Sequence, residues 1–284
     1  MKILRSIYEV IKDFDGLLFD AYGVLVNEQG LLPGAVELLD HLKQSNIPYW
    51  MLSNGSSKTV KDTRQRYVDL GLPFEEGQVI TSGGLLASYL EECSSEGQAV
   101  AVLGTDGSKA LVSEAGRRPV DPLQTKDYEI LVVANQTEYP FVESVDAVLS
   151  HAVQRLDQGL DFKIILTNPD LFYPRGINTY GITAGSVALI LEESLKIRFG
   201  QLPRQLFTKL GKPFSPMFTE AKRRAESDKL LMVGDQIYTD IQGANEAGLS
   251  SVLLGTGLSS WELLQDLPQE LLPTYFTKDL ENVY

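Results

Sequence analysis

Asp20 follows the apolar run Leu17-Leu18-Phe19 and precedes Ala21-Tyr22-Gly23, a pattern that delivers a carboxylate to the C-terminal tip of a short buried strand. An open α/β sheet keeps its chemistry at such tips. A carboxylate fixed there beside a cation can attack phosphorus or carbon and form a covalent intermediate. The same string also reads as an Asp capping a turn, so its weight depends on three later segments.

The first is Ser53-Asn54-Gly55, which follows the strand-like Tyr49-Trp50-Met51-Leu52. A hydroxyl and the N–H groups of a small-residue turn can hold a phosphoryl oxygen, and they can equally cap the next helix. The second is Gly211-Lys212-Pro213, which places an ammonium in a stiff turn suited to carboxylates or phosphate. The third is Gly234-Asp235, with Asp240 one helical turn further on. Asp235, Asp240 and Asp20 together make an oxygen-ligand set suited to Mg²⁺, with helix capping as the alternative role for Asp240.

Positioning these groups requires parallel strands. Runs at Gly16–Phe19, Pro48–Leu52 and Gln78–Thr81 alternate with helical patterns at Ala35–Gln44 and Val60–Leu70, which predicts βαβαβ. Strands at Ala99–Leu103, Tyr128–Ala134 and Phe162–Thr167 follow, with helices near Ser108–Glu114 and Phe141–Gln158. Helix Ala184–Phe199, strand Leu206–Thr208, helix Met217–Glu226, strand Leu230–Val233, helix Ile241–Ala247 and strand Ser251–Leu254 complete the alternation, with Trp261 in a short helix before Tyr275-Phe276. The predicted fold class is α/β, a Rossmann-like parallel-sheet core interrupted by a smaller α/β domain. Residues 85–175 form the insertion, and 1–84 with 176–284 form the discontinuous core.

The 284 residues carry a formal charge of −13, and no basic stripe is present to meet nucleic-acid phosphates. An anionic substrate therefore needs a locally attractive site built from a metal, a buried lysine or backbone N–H groups. One cysteine excludes an intramolecular disulfide, and no apolar stretch approaches the ~20 residues of a membrane span. The N-terminal residues lack a signal-peptide core, which predicts a cytoplasmic protein with no membrane partner. A homo-oligomer is left open.

Taken in order, Asp20-Ala-Tyr-Gly-Val, Leu52-Ser53-Asn54, Gly211-Lys212-Pro213 and Gly234-Asp235-x4-Asp240 resemble the four motifs of the haloacid dehalogenase-like hydrolases. The insert closing with Thr167-Asn168-Pro169-Asp170 is similar to the α/β cap of subfamily IIA, which holds the NagD-like and p-nitrophenyl-phosphatase-like enzymes. The resemblance implies a Mg²⁺-dependent phosphatase of small phosphorylated substrates. Asp20 would be the nucleophile forming an aspartyl-phosphate, Ser53 with Asn54 and Gly55 would bind the phosphoryl group, and Lys212 would neutralise both. Asp20, Asp235 and the backbone carbonyl of Tyr22 would bind the metal, with Asp240 supporting the metal shell or Lys212. The cap would close over the core and carry specificity.

The pattern breaks at Tyr22, where phosphatases of this family carry the Asp that protonates the leaving oxygen and then activates water. A phenol with a reference pKa of about 10 is a poor base at neutral pH, which predicts a slow or leaving-group-selective phosphatase. The same string resembles the dehalogenases, whose halide leaves without a proton. Those enzymes insert a helical cap after the first motif, for which Gly23 to Leu52 leaves no room. A non-catalytic binding protein is the third reading, opposed by the retention of Asp20, Ser53, Lys212 and Asp235. A nucleotide-binding dehydrogenase fails, because Gly255-Thr256-Gly257 lacks the third glycine of that fingerprint.

Several residues are decoys. Asp13-Phe14-Asp15-Gly16 spells the family's D-x-D-G but precedes the strand, so its acids belong at the opposite edge. Cys93 has no neighbouring cation, and His41 and His151 read as helix-surface residues without metal-ligand companions. Arg175 reads as a loop arginine with access to a substrate anion as its alternative.

Overall fold

The computed structural model describes residues 1–176, 178–257, 259, 264–265 and 267–281. The chain divides into two compact units, one of Met1–Ser53, Lys61–Thr81 and Lys212–Tyr284, the other of Asn54–Val60 and Ser82–Gly211. Trp261 lies outside the described residues.

The first unit is built on a seven-stranded sheet in the order Lys2–Ile3, Tyr275–Thr277, Ser250–Leu254, Leu230–Gly234, Gly16–Phe19, Tyr49–Ser53, Val79–Thr81. Every adjacent pair is parallel. The two central strands, Gly16–Phe19 and Leu230–Gly234, are buried at every residue, which is why they read as unbroken apolar runs rather than as alternation. Gly16 opens its strand because a Cβ there would sit 2.8 Å from the Trp50 ring. Helix Ala35–Gln44 buries Ala35, Leu38, Leu39 and Leu42, the one-face spacing of an amphipathic helix.

From Gly16–Phe19 the chain winds outward to Tyr49–Ser53 and Val79–Thr81, and from Leu230–Gly234 it winds the opposite way. The crevice beyond the carboxyl ends of these two central strands is a topological switch point, the place where open α/β sheets bind ligands.

The second unit has a five-stranded parallel sheet ordered Phe207–Lys209, Lys163–Leu166, Ile130–Val133, Ala99–Leu103, Arg118–Val120. Its two faces separate by the strand period of two. Ala99, Ala101 and Leu103 join helices Phe141–Asp157 and Ala184–Phe199 in one core. Val100 and Val102 join helices Leu86–Cys93 and Asp106–Glu114 in the other.

The expected division at 85–175 is corrected at both ends. Helix Ala184–Phe199 places Ala184, Val187, Ala188, Leu191 and Leu195 in the second unit's core, and Phe207–Lys209 extends its sheet beside Lys163–Leu166, so the unit runs to Gly211. Residues 54–60 belong to it as well. The Ser56 hydroxyl donates to the Ala134 carbonyl at 2.6 Å, and the Ser108 hydroxyl donates to the Ser56 carbonyl at 2.7 Å. Two antiparallel hairpins were also absent from the expected elements: Val26–Asn27 with Gly30–Leu31, and Phe172–Gly176 with Thr179–Ile182. Both are too short for periodicity to register. Among the described residues no helix is long and apolar enough to cross a membrane.

Candidate active site

Asp20 leaves its strand with its N–H donating to the Val233 carbonyl at 2.9 Å, which ties the two central strand ends together. Its carboxylate is buried and accepts from Lys212 Nζ at 2.5 Å. The same ammonium donates to Asp240 Oδ1 at 2.7 Å. Lys212 is only 2% exposed, a burial that a lysine tolerates only when paired.

Asp240 does more than cap a helix. The chain after Gly234 forms a π turn over Ile237–Ile241 and becomes α-helical at Gln242–Glu246, where a plain helix over Ile241–Ala247 was expected. This wider turn brings the Asp240 carboxylate back to its own loop, where Oδ2 accepts from the N–H groups of Asp235 and Gln236 at 3.2 Å each. Oδ1 remains for Lys212. Single π turns are frequent at functional sites.

The carboxylate oxygens of Asp20, Asp235 and Asp240 include a set lying within 4.8 Å of one another, and all three residues are buried. Glycines make room for them. A Cβ on Gly23 or Gly257 would overlap the Asp235 carboxylate, and one on Gly234 would overlap Asp240. Gly23 also has a φ of +96°, which disfavours any side chain there. The loop carrying Gly257 is fastened to the site by three bonds: Thr256 Oγ1 donates to the Gly23 carbonyl at 2.9 Å, Ser259 N–H to the Asp235 carbonyl at 3.2 Å, and Ile237 N–H to Ser259 Oγ at 3.1 Å. Sequence reasoning missed Gly23, Gly257 and Ser259. The available signal was Gly255-Thr256-Gly257 directly after strand Ser250–Leu254, a glycine-rich turn at a strand tip.

Burial and the neighbouring charges shift the protonation of Asp20 and Lys212. Burial pushes the Asp20 carboxyl up, the Lys212 charge opposes that and the Asp240 charge adds to it, leaving Asp20 at about 7. Burial alone would lower Lys212, but the charges of Asp20 and Asp240 hold it above its ordinary value. Lys212 is therefore a fixed cation at neutral pH. All-oxygen donors of this kind suit a hard divalent ion such as Mg²⁺ or Ca²⁺.

Tyr22 stands in the turn just past Asp20, its backbone bridged to Val26. Its half-buried hydroxyl is pushed up to about 12, first by burial and then by a hydrogen bond to Glu28. Ser53 ends its strand opposite Thr81 in the first unit. Asn54 and Gly55 belong to the second unit, where the Asn54 amide donates to Asp170 Oδ1 at 2.9 Å and the Gly55 carbonyl accepts from Gly83 N–H at 3.3 Å.

The decoy acids Asp13 and Asp15 are exposed at the amino end of strand Gly16–Phe19, where Asp15 accepts from the Ser227 hydroxyl. His151 corrects its surface assignment. It is buried, with Nε2 3.0 Å from the Tyr128 carbonyl and its ring packed on Tyr128 and Phe162. Cys93 is half-buried, and burial raises its thiol. Arg175 is exposed, with its guanidinium over the Tyr173 ring.

Residues 17–118 match a family model described as haloacid dehalogenase-like hydrolase, and residues 209–283 match a second described as HAD-hydrolase-like. An acid sugar phosphatase of Staphylococcus haemolyticus is 27% identical over 95% of this chain and 95% of its own length. A dihydroxyacetone phosphatase of Corynebacterium glutamicum is 30% identical over 85% of this chain and 81% of its own. The crystal structure of a glycerol phosphate phosphatase from Mycobacterium tuberculosis in complex with magnesium is 26% identical with a TM-score of 0.77, covering 95% of this chain and 76% of that one. The chain belongs to the haloacid dehalogenase-like hydrolases and shares the fold of their NagD-like, p-nitrophenyl-phosphatase-like branch. It is a hydrolase of that superfamily.

Proposed function

We propose that this protein is a Mg²⁺-dependent phosphatase of small phosphorylated metabolites that works through a phosphoryl group carried on Asp20. The observation that carries this reading is the buried cluster in which one lysine is shared by two carboxylates and a third carboxylate faces them. The donor set fits the ion: Asp20, Asp235 and the Tyr22 carbonyl would hold it, with Asp240 fixing the loop behind them. A bound Mg²⁺ supplies positive charge and orientation to the phosphoryl oxygens.

The chain's own residues supply the rest. Asp20 stands at a strand tip with its backbone pinned to Val233, so its carboxylate is preoriented for in-line attack on phosphorus. Lys212 opposes the burial that pushes Asp20 toward its neutral form and would offset charge on the transferring group. Asp240 keeps Lys212 aimed, since Oδ1 binds the ammonium while Oδ2 is fixed by two backbone N–H groups. Ser53, at the tip of the neighbouring strand, would hold a phosphoryl oxygen. The phosphatase names of the relatives support the reaction class.

Tyr22 separates substrates by leaving group. Its hydroxyl, pushed up to about 12, keeps its proton at neutral pH and cannot act as the base that a carboxylate would be. Aryl and acyl phosphates, whose leaving groups depart without a proton, should turn over faster than alkyl phosphates. The test is phosphate release by purified protein with Mg²⁺ from a panel of aryl, acyl and alkyl phosphates. Release that is lost in Asp20→Asn supports the reading. Release of halide from 2-haloacids without phosphate would assign the dehalogenase chemistry instead, and neither product would assign a binding protein.

A further inference from the structure

The second unit has a cleft of about 270 Å³ at the amino ends of its sheet strands. Gln98 stands just before strand Ala99–Leu103, Glu129 just before Ile130–Val133, and Arg118 opens the edge strand Arg118–Val120, its N–H donating to the Gln98 carbonyl at 3.0 Å. No lining residue belongs to the unit that holds Asp20, Lys212, Asp235 and Asp240.

Three cations line this cleft: Arg118, Lys126 from the loop before Ile130–Val133, and Arg155 from the last turn of helix Phe141–Asp157. Two carboxylates, Asp127 and Glu129, share the wall, so positive charge is in excess here in a chain that carries −13 overall. Like charges brought together from three separate segments repel one another, and a bound anion offsets that cost.

Arg155 is the rigid part of the arrangement. Its side chain is only 16% exposed, with Nε donating to the Asp161 carbonyl at 2.8 Å and Nη2 to Glu129 Oε1 at 2.9 Å. Those two bonds fix the plane of the guanidinium. Of its five N–H donors three remain, on a group that lines the cleft. Arg118 and Lys126 are exposed and form no ion pair among the described residues.

We propose that this cleft is a binding site for one small dianion bearing a phosphoryl group, either inorganic phosphate or a phosphate monoester. The planar fork of Arg155 matches two phosphoryl oxygens, and the longer, freer heads of Arg118 and Lys126 close on the remaining charge. A monocarboxylate would use only one of the three cations. The volume lies just below the ~300–1,000 Å³ of pockets for drug-sized ligands, which suits a single small metabolite. The bound anion would join the edge strand Arg118–Val120 to helix Phe141–Asp157.

The test is calorimetric titration of the full-length, Mg²⁺-loaded protein with inorganic phosphate and, separately, with propylphosphonate, an ester mimic whose C–P bond resists hydrolysis. At ~0.15 M salt the wild type should show an equivalent with a dissociation constant below about 1 mM that is lost, or weakened at least about tenfold, in Arg118→Ala with Lys126→Ala. Both positions are exposed, so this variant should keep the wild-type circular dichroism, and its kcat/KM should be unchanged. Arg155→Lys keeps the charge without the fork and should weaken the same equivalent by about tenfold or more. Tighter binding of phosphate would identify the free anion as the ligand, and tighter binding of propylphosphonate the ester. Lys12→Ala with Lys229→Ala removes equal charge from exposed positions of the first unit and should leave the titration unchanged. A protein that shows the cleft equivalent but releases no phosphate from any ester would support this site while removing the phosphatase reading. A wild type with no equivalent that the Arg118 and Lys126 substitutions remove, an equal loss in the Lys12 and Lys229 pair, or binding only above about 10 mM, an adventitious ion only, would each overturn the proposal.

Discussion

Replacing Tyr22 with Asp puts a carboxylate where the phosphatase reading lacks one. At neutral pH a hydroxyl held at about 12 is ionised in about one molecule in 10⁵, whereas an ordinary aspartate near 4 is ionised almost completely. The wild-type site therefore has no effective base at this position and only a weak acid. General acid–base assistance is worth ~10²–10⁴-fold, and its loss falls on leaving groups that need a proton. Tyr22→Asp should raise kcat/KM on alkyl phosphates within that range and change aryl phosphates by less than about tenfold. Tyr22→Phe should leave both nearly unchanged. The assay is steady-state phosphate release from matched alkyl and aryl phosphates at saturating Mg²⁺, on variants with wild-type circular dichroism. An alkyl-to-aryl ratio that Tyr22→Asp leaves unchanged would refute the assignment of Tyr22 as the limiting defect, and a ratio that collapses in Tyr22→Phe would show that the phenol itself moves the proton.

The remaining expectations concern the metal and the buried charges. Chelation should stop turnover and Mg²⁺ should restore it; full activity in excess chelator would remove the metal from the account. Gly257→Ala places a methyl group on the Asp235 carboxylate and should lower Mg²⁺ affinity by ~10–100-fold, read by titration calorimetry, whereas unchanged affinity would exclude Asp235 as a ligand. Asp20, held at about 7, binds its proton more tightly folded than unfolded. Its contribution therefore favours folding below pH ~4 relative to above, and metal-free stability should fall as pH rises from about 4 to about 7. Asp20→Asn should flatten that slope in thermal melts, and a variant with the full slope would place the titration elsewhere.

The residues proposed to carry the reaction were legible because each sits where an apolar run ends. Asp20, Ser53 and Asp235 follow buried strands, and parallel strands side by side bring such tips together without further information. Lys212 was legible only by its turn residues, since nothing local shows that its ammonium is shared between Asp20 and Asp240, acids 192 and 28 residues away. The π turn that lets Asp240 reach back to the Asp235 loop was hidden because a π turn and an α-helix present the same residue types. Gly23 and Gly257 were hidden for a different reason: their requirement is space beside a carboxylate far away in the chain, and only the folded packing creates it. His151 resembled a surface histidine because its sheltering partners, Tyr128 and Phe162, approach from other elements. The unit boundary was misplaced because Ala184–Phe199 carries no mark in its own sequence of which sheet it will cover.

The central claim is that Asp20 carries the phosphoryl group, and trapping that group tests it most directly. Protein mixed with a good aryl phosphate and Mg²⁺, quenched in acid within one turnover and reduced with borohydride, should yield homoserine in place of Asp20 in the peptide containing residues 17–23. Protein treated without substrate should yield unmodified Asp20. A phosphoryl group found on another residue, or turnover with unmodified Asp20 at every quench time, would contradict the account.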